Sequence, residues 1–168
     1  MDNNVIDSIC RNLYDKAILS MKFNFRGVGG SEGEFSNGSG EEEDAGAAIE
    51  FLLSRKETNP SRLGLAGYSA GSAWGLSAAC RDPRVKAMAA ISPPLSMFDY
   101  SCLQDCLKPK LMISGTEDQF VPVKPYVSFC QTFPGSTECI TIDGADHLWQ
   151  GYEEAAGEKV ADFFSRTL

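Results

Sequence analysis

Leu63-Gly64-Leu65-Ala66-Gly67-Tyr68-Ser69-Ala70-Gly71 is the stretch on which the reading of this chain turns. A short apolar run, Leu63 to Ala66, enters a Gly-x-Ser-x-Gly pattern, and small and helix-forming residues from Ser72 to Cys80 follow it. That order predicts a strand, a tight turn and a helix, with Ser69 at the apex of the turn. A turn of this kind is strained and lifts a serine hydroxyl clear of a sheet edge, and glycines flank it because side chains there would collide. The pattern alone is weak.

The chain carries the pattern twice. Gly29-Gly30-Ser31-Glu32-Gly33 also fits, but it lies in a glycine-rich stretch from Gly27 to Gly40 with no helix starting after its serine. This reads as a long loop with Ser31 as a turn residue. Context selects Ser69.

Outward from the motif, strand and helix signals alternate. Val5, Ile6, Ile9 and Leu13 mark a helix over Asp2 to Tyr14, and Ala17 to Phe25 is strand-like. Ser39-Gly40-Glu41-Glu42 reads as a capping box opening a helix that reaches about Arg55. The acidic run Glu41 to Asp44 then forms its solvated first turn. Further expected elements are a strand over Arg62 to Gly67 and a helix over Ala70 to Cys80. A strand Val85 to Ile91, a short helix Met97 to Cys106 and a strand Lys110 to Ser114 follow. The last three are a helix Val123 to Thr132, a strand Glu138 to Ile142 and a helix Tyr152 to Arg166. This alternation predicts an α/β fold, a three-layer α/β/α sandwich around a mostly parallel sheet, as one domain over residues 1–168.

Bulk composition narrows the function classes. A net charge of −8 argues against general nucleic-acid binding, which recruits basic patches. No apolar run reaches the roughly 18 residues that span a bilayer, and the N-terminus lacks the pattern of a signal peptide. The expectation is a cytoplasmic protein that binds neither membrane nor nucleic acid. The six cysteines (10, 80, 102, 106, 130 and 139) allow three disulfides on paper. Without a secretory context, reduced and partly buried thiols are the expected state. Cys102 and Cys106 are spaced for neither a redox pair nor a zinc site, and with His147 the sole histidine, neither a metal nor a cofactor is expected.

A nucleophilic serine needs a base to take its proton and a carboxylate to orient that base. Asp118, in Ser114-Gly115-Thr116-Glu117-Asp118, follows one predicted strand and is preferred over its neighbour Glu117. His147, in Gly144-Ala145-Asp146-His147, follows another. Ser69, Asp118 and His147 thus fall in the chain order nucleophile, acid, base. Each lies at the carboxyl end of a strand, the edge where open parallel sheets build their sites.

These motifs resemble one family, the small lidless α/β-hydrolases near the dienelactone-hydrolase and prolyl-oligopeptidase catalytic domains. The resemblance lies in Phe23 to Gly29 with Ser31 to Gly33, in Gly67 to Gly71, in Gly115 to Asp118 with Val121-Pro122, and in Gly144 to His147. It covers essentially the whole chain, and it implies the α/β-hydrolase fold. A true dienelactone hydrolase would carry cysteine at position 69, so the serine disfavours that chemistry. Arg26 is expected to pair with a carboxylate and hold its loop.

The resemblance also implies a departure. Family members carry about three strands before the helix with which this chain starts, the third lying in mid-sheet, so an N-terminally truncated fold is expected and Met1 reads as an internal methionine. Of the two oxyanion donors, only the Ala70 amide can be assigned. The open edge could be closed by pairing its flanking strands, by a strand from another copy, or within a homodimer. The function implied is a serine hydrolase of small esters or related acyl compounds. Acyl transfer to an acceptor other than water uses the same residues, and an impaired hydrolase fold kept as a binding or oligomerising module is the alternative.

Overall fold

The computed structural model describes residues 2–168. Helix α1 (Asn4–Asp15) turns Val5, Ile9 and Leu13 inward, and the Asn3 side chain caps it by accepting the Ile6 N–H at 3.0 Å. Helix α2 (Ser39–Leu53) leads to strand β1 (Leu63–Tyr68), which passes through the tight turn at Ser69 into α3 (Ala70–Arg81). Strand β2 (Val85–Ile91), a 3₁₀ turn (Ser101–Leu103), strand β3 (Lys110–Gly115), α4 (Val123–Cys130), β4 (Thr137–Ile142) and α5 (Glu153–Thr167) complete the order.

The sheet runs β1-β2-β3-β4 with every neighbouring pair parallel. Alternation along β2 and β3 supplies both faces. Met88, Ala90 and Met112 pack with residues of α2, α3 and α4, while Ala87, Ala89, Ile91, Leu111 and Ile113 pack with residues of α1 and α5. These are the three layers of the expected α/β/α sandwich. Continuous apolar runs such as Ala87 to Ile91 suit strands covered on both sides. Only Lys86 of β2 is exposed, where the register against β1 shifts by one residue.

Three expectations need correction. Residues 17–25 join no ladder, because the sheet ends at β1 and no paired strand edge lies beside them. Their β-forming composition is real, but a strand needs a neighbour to satisfy its backbone. The helix expected over 97–106 shrinks to the 3₁₀ turn, where Asp99 accepts the Ser101 N–H at 2.8 Å and its hydroxyl at 3.1 Å. That local bonding competes with helix.

The cap of α2 is shifted. Ser36, not Ser39, accepts the Gly40 N–H at 2.7 Å, and Glu41 reaches back to the Ser36 N–H at 3.0 Å and the Gly38 N–H at 2.7 Å. Glu41 is therefore buried rather than solvated. Burial pushes its carboxyl up, but those hydrogen bonds outweigh it and hold it below its usual range. Beside it, Arg26 pairs with Asp44 through Nε at 3.1 Å and Nη2 at 2.7 Å, pinning the glycine-rich loop to α2.

All six cysteines are free, with Cys106 and Cys130 buried and Cys139 exposed. Lys110 is fully buried, and its ammonium donates to the carbonyls of Cys106, Lys108 (2.9 Å) and Pro134 (3.0 Å). Burial holds its pKa below the ordinary lysine value. Lys110→Met keeps the aliphatic stem but strands these acceptors, so a urea melt should show a loss of about 1–3 kcal/mol.

Candidate active site

Ser69 sits at the junction of β1 and α3 with φ 51° and ψ −130°, a region L-residues rarely occupy. The turn is tight because its flanking segments touch. A Cβ on Gly67 would lie 2.5 Å from the Gly71 carbonyl oxygen and from the Ser72 Cα. Gly71 is different, since a Cβ there would meet only the Phe25 ring at 3.4 Å. Of the two glycines in the motif, Gly67 is the one the geometry demands.

The structure brings Ser69, His147 and Asp118 into one line. Ser69 Oγ lies 2.9 Å from His147 Nε2, and His147 Nδ1 lies 3.0 Å from both Asp118 carboxylate oxygens. A buried carboxylate only accepts, so Nδ1 carries the proton and Nε2 is left as the acceptor facing the serine hydroxyl. The Asp118 side chain is fully buried and that of His147 is 10% exposed. Glu117, the competing carboxylate, points to solvent.

Asp118 is held on every side. Its Oδ1 accepts the Phe120 N–H at 3.0 Å and the Val121 N–H at 3.1 Å. Burial pushes its carboxyl up, yet bonds from His147 and Ser92, together with the Phe120 amide, leave it below the usual carboxylate range. It stays ionised at neutral pH, as an orienting carboxylate must. The two loops are laced to each other. The Glu117 N–H donates to the Ala145 carbonyl at 3.0 Å, and the Gly144 N–H donates to Thr116 Oγ1 at 2.9 Å.

Four residues around this line went unnoticed in the sequence. Ser92 accepts the Trp149 indole N–H at 2.9 Å and bonds to Asp118, joining the end of β2 to the loop after β4. Tyr68 donates its hydroxyl to the His147 carbonyl at 2.6 Å, and burial pushes its pKa up to about 12. Phe120 lies edge-on to the imidazole at 4.8 Å. The only local signals were the Ser92-Pro93-Pro94 break after a strand and a tryptophan two places beyond the histidine.

Ala70 is the first residue of α3, so its N–H is among the helix-terminal donors without an intrahelical partner, at the positive end of the helix dipole. It lies directly beside Ser69 in the chain. Ser31, the alternative serine, donates to the Asn24 carbonyl at 3.0 Å and serves its loop. No group of three or more His, Cys, Asp or Glu that could hold a metal occurs among the described residues. Among them, too, no helix is long and apolar enough to cross a membrane.

Comparison with known proteins shows the family and the fold. Residues 19–125 match the family described as X-Pro dipeptidyl-peptidase (S15 family). An uncharacterised protein of Rickettsia prowazekii is 32% identical over 171 residues, covering 97% of this chain and 71% of that protein. An α/β serine hydrolase without lid from Xanthomonas campestris superposes with TM-score 0.88 at 28% identity, over 100% of this chain and 75% of that one. A serine hydrolase homologue from Coxiella burnetii gives TM-score 0.87 at 26% identity, over 96% of this chain and 76% of that one.

Proposed function

Since the chain belongs to the S15 peptidase family and has the α/β-hydrolase fold of the lidless serine hydrolases, we propose that it hydrolyses small esters or related acyl compounds through an acyl-enzyme on Ser69. The observation that carries this reading is the unbroken line Ser69–His147–Asp118, drawn from three separate loops.

In the first half-reaction Ser69 Oγ attacks the acyl carbonyl carbon while His147 Nε2 takes the hydroxyl proton. The carbonyl oxygen gains the negative charge, and the Ala70 N–H donates to it. Collapse expels the leaving group, which collects the proton from His147. Water then repeats the sequence against the acyl-enzyme and releases the acid. Asp118 keeps the imidazole in its tautomer and balances the transient imidazolium. Every proton is shuttled by His147, so no cofactor enters the cycle. The flanking Phe120 and Leu148 leave 44% and 53% of their surface exposed, which favours acyl compounds with an apolar part over highly charged ones.

A fluorophosphonate probe tests the proposal, since it phosphonylates only an activated serine. Stoichiometric labelling is expected for the wild type and none for Ser69→Ala. Labelling that persists in Ser69→Ala would move the nucleophile elsewhere, and a folded wild type that fails to react would sink the enzymatic reading.

A further inference from the structure

Three of the six cysteines meet at the far end of the helix that carries Ser69. Cys80 lies in the last turn of α3, Cys102 is the middle residue of the 3₁₀ turn, and Cys106 follows that turn. All three belong to one packed cluster, with Cys106 buried in it and Cys80 and Cys102 half-buried against it. The two segments are clipped together on both sides of the thiols. Lys108 Nζ donates to the Ala79, Cys80 (3.4 Å) and Asp82 carbonyls at the end of α3. Toward the site, the Tyr100 and Ser72 hydroxyls share a hydrogen bond of 2.7 Å. Between these clips Cys80 and Cys102 are in hydrogen-bond contact, thiol to thiol.

The two thiols are not equivalent. The bond from Cys80 outweighs burial and, with Arg81, holds the Cys102 thiol below its ordinary pKa. The same bond, together with burial, pushes the Cys80 thiol up. One sulfur is thus prepared as a thiolate while its neighbour keeps a proton. The three sulfurs do not form a group that could hold a metal ion, so the chemistry open to them runs from sulfur to sulfur.

We infer that Cys80 and Cys102 are a hydroperoxide-reactive pair, whose disulfide braces the end of α3 against the 3₁₀ turn after β2. The Cys102 thiolate attacks one oxygen of the hydroperoxide and the O–O bond breaks. The sulfur is oxidised by two electrons to a sulfenic acid, and the other oxygen leaves as alkoxide or hydroxide and takes a proton from solvent. The Cys80 sulfur then attacks the sulfenyl sulfur. An S–S bond forms, the S–O bond breaks, and the departing hydroxide leaves with the Cys80 proton as water. A dithiol such as dithiothreitol reverses the step and is itself oxidised. The brace reaches the candidate site without touching it, because Ser72 also donates to the Ser69 carbonyl at 2.6 Å. It forms whether or not Ser69 is a nucleophile.

An equimolar amount of hydrogen peroxide is the test oxidant. The intact chain should lose the mass of two hydrogen atoms, and non-reducing peptide mapping should find a Cys80–Cys102 link that dithiothreitol removes. The bridged protein should melt about 5–10 °C above the reduced one. Cys80→Ser should stop the reaction at the sulfenic acid, and dimedone should then label Cys102 about tenfold faster than the exposed Cys139. Should that variant misfold, mapping of the oxidised wild type still decides. A link through Cys106, Cys130 or Cys139, chains joined to one another, or no loss of mass would overturn the proposal. So would labelling of Cys139 ahead of Cys102, or a bridged protein that melts no higher than the reduced one.

Discussion

Asp118→Asn should lower kcat/KM for a small activated ester by about 10⁴-fold, and Ser69→Ala by about 10⁶-fold, with both variants folded. The two losses have different causes. Ser69→Ala removes the attacking atom, and whatever rate remains comes from binding and the Ala70 donor. Asp118→Asn leaves the nucleophile and base in place but presents an amide to His147. The Phe120 and Val121 N–H groups fix an acceptor at one position of this side chain. The carbonyl oxygen of the asparagine must take that place, which turns its NH₂ toward the imidazole. Nδ1 then accepts, the proton moves to Nε2, and the nitrogen facing Ser69 Oγ at 2.9 Å can no longer act as base. The expected signature is a fall in kcat with KM nearly unchanged, because the defect lies in the transition state. A loss of less than tenfold would show that Asp118 does not orient the base, and Glu117→Gln would then be the variant to measure.

Much of this arrangement was legible because it depends on short-range order. A serine at a strand-to-helix turn, an aspartate just past β3 and a histidine just past β4 are each local patterns. Parallel topology carries all three to one edge of the sheet. Asp44 as the partner of Arg26 was half legible: a carboxylate was expected, but only packing of the loop on α2 chose which one. What could not be read are contacts between residues far apart in sequence. Ser92 and Trp149 are 57 positions apart, and nothing near either one announces their bond or its reach to Asp118. Residues 17–25 failed for the opposite reason. Their local signal was sound, but a strand is a property of two segments, and no described strand pairs with them.

Gly115→Ala should cost about 3 kcal/mol or more, and in a protein of this size lower the melting temperature by about 6–12 °C. Gly115 ends β3, where the chain turns toward Asp118. A Cβ there would lie 1.9 Å from the Ala145 carbonyl oxygen, 2.5 Å from its carbonyl carbon and 2.9 Å from its Cβ. Two of these neighbours are backbone atoms of the loop that carries His147, so no rotamer change relieves the overlap. The same carbonyl accepts the Glu117 N–H at 3.0 Å, and pushing it away breaks the lacing between the two loops. Stability and catalysis should therefore fall together, with His147 displaced from Asp118. Gly71→Ala provides the contrast, since its Cβ meets only the Phe25 ring at 3.4 Å and it lies in the first turn of α3. That variant should melt within about 0.5 kcal/mol of the wild type, as the helical preference of alanine offsets a light contact. Equal melting of the two variants would mean that the close approach of β3 to the histidine loop does not hold the site together.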